Sequence, residues 1–101
     1  MKVVIHEAAA ADLESIFEWV SKDSPRAAAE LVHRIRARIN RLAVAGLPHI
    51  GRPGLIEGTR ELVEGRYIVV YMVDEPADLI TVLAVVHGAR DRKADTPKRD
   101  S

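Results

Sequence analysis

Two helical stretches joined by a turn of two or three residues constrain this chain more than any other feature. From Ala9 the apolar residues Leu13, Ile16, Phe17 and Val20 recur at spacings of three and four, while Asp12, Glu14, Glu18 and Lys22 fall outside that stripe. The spacing predicts a helix over about 8–22. Asp23-Ser24-Pro25 follows. A serine hydroxyl can accept from an orphan amide at a helix start, and proline costs nothing at the first helical position because the N–H it lacks would be unpaired there anyway. A second helix is therefore predicted over about 25–45, its apolar face made of Ala28, Leu31, Val32, Ile35, Ile39 and Leu42, with Gly46 as its stop. So short a turn forces the two helices antiparallel, and both apolar stripes must be covered by something else.

A sheet supplies the cover. Val3-Val4-Ile5 is β-branched throughout and is cut off by His6-Glu7, which reads as a short first strand. Leu47 to Gly58 carries Pro48, Gly51, Pro53, Gly54 and Gly58, the composition of a surface loop. Thr59 to Val63, the turn Glu64-Gly65 and Arg66 to Val73 read as an antiparallel hairpin, with Gly65 free to take the positive φ of such turns. Leu79 to Val86 is apolar on both faces and is expected to be a central strand. The order β-α-α-β-β-β gives an α+β fold, a helical hairpin packed on one face of a twisted antiparallel sheet, with the pairing of Val3 to Ile5 left open by periodicity.

With 101 residues, 48% of them hydrophobic, the chain has room for one domain and enough apolar content for its core. Residues 1–91 are expected to form that domain and 92–101 a polar, mobile tail. Fifteen basic against fifteen acidic side chains leave no net charge, so no global field draws the chain to nucleic acid, and no sequence-specific DNA binding by this chain alone is expected. The absence of cysteine excludes disulfides and thiolate chemistry. Three apolar residues after Lys2 are too few for a signal-peptide core, and Leu79 to Val86 is far short of the roughly 20 residues a membrane-spanning helix needs. No membrane association and a cytoplasmic location are expected.

Catalytic motifs are scarce. His6, His33, His49 and His87 sit in four different elements without ligand spacing, so no metal is expected. No nucleophile elbow and no phosphate-binding glycine loop occur, and no cofactor is implied. The second helix carries Arg26, Arg34, Arg36, Arg38 and Arg41 against Glu30, either a solvated helix back or a docking surface for phosphate or an acidic protein. Trp19 flanks the first apolar stripe and reads as a packing residue at its rim. The densest polar cluster combines Arg60 and Glu61, Tyr67 and Tyr71, and His87, Arg90 and Asp91. Tyr67 and Tyr71 share a face by period-two alternation. Cleavage of RNA by its own 2′-hydroxyl needs a base, an acid and cations for the phosphate, parts in which Glu61, His87 and Arg90 can be cast beside Tyr67 and Arg60. An exposed edge strand with packed tyrosines accounts for the same residues.

The element order, the strand Arg60-Glu61-Leu62-Val63, the strand Gly65-Arg66-Tyr67-Ile68-Val69-Val70-Tyr71-Met72-Val73 and the close Val86-His87-Gly88-Ala89-Arg90-Asp91 together resemble the RelE/ParE superfamily of toxins from bacterial type II toxin–antitoxin modules. The likeness covers nearly the whole chain. In the RelE-like branch, the resemblance implies messenger RNA cleavage on the ribosome by a basic set. Here Glu61 and Val63 stand where that branch has lysines, Ile68 follows Tyr67 where an arginine is expected, and no tyrosine follows Arg90. Without its cations such a site loses the electrostatic stabilisation that dominates this chemistry. The ParE-like branch is the better match, and it implies a non-catalytic toxin that binds DNA gyrase and traps its cleavage state. In that reading Arg60, Tyr67, Tyr71, His87, Arg90 and Asp91 are target-binding candidates. A cognate ParD-like antitoxin is the implied partner, its amphipathic helix suited to a groove beside the helical hairpin.

Overall fold

The computed structural model describes residues 1–44 and 47–88. Strand β1 (Lys2–Ile5) leads directly into helix α1 (Glu7–Ser21). His6 makes that junction. Its backbone N–H extends the sheet by donating to Val82 O at 2.9 Å, while its Nδ1 accepts from Ala8 N at 3.0 Å as the helix N-cap. Helix α2 (Pro25–Arg41) starts on the expected signal, with Ser24 Oγ accepting from Ala27 N and Pro25 in the first turn. Leu42 caps its C-terminus, and the expected stop at Gly46 lies outside the described residues.

A two-residue strand β2 (Arg52–Pro53) falls within the Gly/Pro-rich loop, followed by β3 (Arg60–Glu64), β4 (Tyr67–Asp74) and β5 (Leu79–His87). The β3–β4 turn is Gly65-Arg66, with Gly65 at φ 61°. The sheet order is β1-β5-β4-β3-β2. β2, β3, β4 and β5 pair antiparallel in succession, whereas β1 lies parallel to β5, so the sheet is mixed. β5 is interior, as its apolar faces require.

Both helices lie on one face. Ala9, Leu13 and Ile16 from α1 meet Ile35, Ile39 and Leu42 over Leu62, Val69, Tyr71, Ile80, Val82 and Val85. Phe17, expected in the apolar stripe, is 39% exposed and lines an outer groove between the helices with Val32. The inward set Ala9, Leu13, Ile16 and Val20 already fills the helical arc that reaches the sheet.

Candidate functional site

The pairing of β4 with β5 decides what the site contains. Tyr67, Val69, Tyr71 and Val73 all turn toward the helices, as alternation along β4 demands. On β5 the phase slips. Val70 pairs with Ala84 but Tyr71 pairs with Val82, so Leu83 has no opposite number and forms a bulge. Ile80 and Val82 face the helices before it, Val85 after it. The bulge thereby brings His87, paired with Tyr67, round to the helix-covered side. The two rings meet edge to face, with centroids 5.3 Å apart and planes at 85°.

β1 stops opposite Val82, leaving the rest of β5 without that neighbour. Asp12 on α1 takes its place, its Oδ2 accepting from Val85 N at 2.9 Å. Asp12, Ser15, Ile16 and Trp19 then form one wall of a cleft of about 310 Å³ whose other wall is Tyr67, Val85 and His87. A second cleft of about 410 Å³ shares Trp19, Tyr67 and His87 and is completed by Val20, Leu31, Arg34, Gly65 and Arg66. Trp19, expected to pack at a rim, is 62% exposed between the two clefts, with Lys22 Nζ 5.2 Å from its ring centroid. Arg34 reaches Glu64 at 3.6 Å, as does Arg38.

The remaining candidates lie at the opposite end of the strands. Tyr71 is four residues from Tyr67, about 13 Å along the strand. It is fully buried; its hydroxyl donates to Pro48 O at 2.9 Å and accepts from Gly51 N at 3.0 Å. Arg60, its partner across the ladder, donates through Nη2 to His49 O and Gly51 O, both at 2.8 Å. Glu61 is 3% exposed and accepts from Arg52 Nε at 3.2 Å. These three side chains fasten the 48–52 segment to the sheet. The structure thus brings Tyr67 and His87 together and sets Arg60, Glu61 and Tyr71 apart from them. Arg90 and Asp91 lie outside the described residues.

Glu61, Val63, Ile68 and Val70 form one patch on the face away from the helices, since Glu61 pairs with Val70 and Val63 with Ile68. Ile68 is buried at 5% exposure, and Arg52, the cation opposite Glu61, is bound to that carboxylate. Among the described residues no group of three His, Asp or Glu could hold a metal ion. Nor is any described helix long and apolar enough to cross a membrane. Asp12 and Trp19 enter the cleft without a signal in the sequence, because their places depend on where β1 ends and on the space between α1 and β4.

A helical hairpin on one face of a five-stranded mixed sheet is the fold of toxins from toxin–antitoxin systems. A chain of the chromosomal ParDE system from P. aeruginosa superposes with a TM-score of 0.76 over 86% of this chain and 95% of that one, at 24% identity. A chain of the RelBE2 toxin–antitoxin complex from Mycobacterium tuberculosis gives 0.60 over 85% and 88%, at 22% identity. Sequence separates what fold alone does not. The protein described as "Putative toxin Y4kP" in Sinorhizobium fredii is 40% identical over 73 residues, which is 70% of this chain and 74% of that protein. Residues 3–92 match the family described as the ParE toxin of the type II toxin–antitoxin system parDE, and the chain belongs to that family.

Proposed function

We propose that this toxin acts on DNA gyrase by docking to it and trapping its DNA-cleaving state, and that a cognate ParD-like antitoxin silences it. The observation that carries this reading is the sheet face holding Glu61, Val63, Ile68 and Val70, where an RNA-cleaving relative would place cations. Among the described residues the cation across from Glu61, Arg52, is tied to that carboxylate, which leaves it little to offer a phosphate under attack, while the exposed Val63 beside it suits contact with protein. The antitoxin is assigned to the groove of about 530 Å³ between the helices, where Ala10 and Ala11 leave room and Leu13, Phe17 and Val32 offer apolar contacts to an amphipathic helix. Purified toxin added to gyrase and relaxed plasmid should suppress supercoiling and accumulate cleaved DNA. Unchanged supercoiling at toxin in large excess over enzyme would overturn the reading.

One observation favours a second reading, ribosome-dependent cleavage of messenger RNA. His87 and Tyr67 stand beside Arg34 and Arg66, a proton-transfer group next to cations, although on the helix side of the sheet. Transcripts cut during translation by the parent toxin and left intact by His87→Ala would establish it in place of gyrase inhibition.

A further inference from the structure

We propose that the paired clefts around Trp19 form a nucleotide-binding site, with the base against Trp19 and Tyr67 and the phosphate on Arg66 and Arg34. The chain has four aromatic residues of the Phe, Trp and Tyr type, and two of them, Trp19 on the helix side and Tyr67 on the strand side, line both clefts together with His87. The two ends differ in charge. Arg34 and Arg66 line one cleft, Asp12 and Ser15 the other.

Arg66 is exposed and makes no ion pair among the described residues, while Arg34 has only the long 3.6 Å contact to Glu64. Both guanidiniums are therefore available to an incoming anion, and Lys22 adds a positive charge beside the Trp19 ring. At the other end, Asp12 uses Oδ2 for Val85 N, and its carboxylate retains acceptor capacity for the amino group of a base. A flat π-surface with an anion at one end and amino donors at the other matches this sequence of groups. A uniformly acidic helix would meet Asp12 in one cleft, and a uniformly basic one Arg34 and Arg66 in the other. The same chemistry is presented by a free mononucleotide and by an unpaired nucleotide within a single strand.

The test uses the single tryptophan of the full-length toxin as reporter. AMP, CMP, GMP and TMP, a short single-stranded DNA and ribose 5-phosphate are titrated while Trp19 fluorescence is followed. Saturable quenching by a mononucleotide or by the oligonucleotide, with ribose 5-phosphate silent, is expected. Arg66→Gln, at an exposed turn, should weaken binding about tenfold, the scale of one charge-assisted hydrogen bond, while its thermal unfolding matches the parent. Equal affinity for mononucleotide and oligonucleotide assigns the site to free nucleotides; much tighter binding of the oligonucleotide assigns it to an unpaired base in a strand. No saturation with either, undiminished binding by Arg66→Gln, or quenching by a polyglutamate peptide that nucleotides do not displace would overturn the proposal. No gyrase is present in the titration, so failure here leaves the reading of the target untouched.

Discussion

Tyr71 shows how one hydroxyl can hold the irregular segment that leads into β2. Its ring belongs to the core, and its oxygen serves both a donor and an acceptor of the incoming chain, Gly51 N and Pro48 O. Gly51 is part of the same arrangement: a Cβ there would stand 2.6 Å from that oxygen and from Glu61 O, so the close approach needs glycine. Tyr71→Phe keeps the ring and removes the bridge, leaving the buried Gly51 N–H and the half-buried Pro48 C=O without their partner. The expected loss is about 1–3 kcal/mol, read as a lower midpoint in urea with an unchanged m-value. A midpoint equal to the parent's would mean that water replaces the hydroxyl at no cost and that the loop does not depend on it. Arg60 acts on the same segment through its contacts to His49 O and Gly51 O, so a substitution there disturbs the loop whatever else it does.

At the scale of elements, the junction between β1 and α1 rests on His6, a residue type outside the group that usually caps helices. An aspartate would offer the same acceptor with a negative charge at the positive end of the helix. His6→Asp should therefore raise stability by up to about 1 kcal/mol, or several degrees in Tm for a domain of this size, as measured by thermal unfolding near neutral pH. A lower Tm would show that the imidazole contributes packing beyond its cap. The same scale marks the limit of what sequence reveals. The hairpin turn at Ser24-Pro25, the β3–β4 pair around Gly65 and the interior place of β5 are written in local signals and periodicity. Three features are not. The parallel docking of β1 depends on a partner nearly eighty positions away in sequence, which a period of two does not encode. The strand at Arg52–Pro53 exists because Glu61 and Arg60 lie opposite it. The bulge at Leu83 sits in a run that is apolar on both faces, so the slip that turns His87 toward Tyr67 leaves no trace in the pattern. The candidate site was legible as a set of residue types but not as two separate groups, because a strand lists its residues without saying which end each neighbouring element covers.

At the scale of the whole molecule, zero net charge conceals a segregation. Glu7, Asp12, Glu14 and Glu18 lie on α1 without a basic residue, while α2 carries five arginines against Glu30, and the two helices lie side by side. Arg26 is paired with Glu30, and Arg34 and Arg38 share Glu64, whereas Arg36 and Arg41 make no ion pair among the described residues. Arg36 is the one that lines the interhelical groove, on the α2 side, while Glu7 and Glu14 line it from α1. A helix docking there meets opposite charges on its two flanks, which fixes its direction as well as its affinity. If the groove receives the antitoxin, Arg36→Glu should weaken the complex by about tenfold or more and flatten its dependence on salt, through loss of an attraction and gain of a repulsion. The free toxin should keep its stability to within about 0.5 kcal/mol, because Arg36 is exposed and has no ion pair among the described residues. Calorimetric titration at two salt concentrations, beside urea unfolding of the free variant, separates the two effects. Parent-like affinity at low salt would place the antitoxin elsewhere on the surface, and the sheet face around Val63 and Met72, both exposed and apolar, would be the next surface to probe.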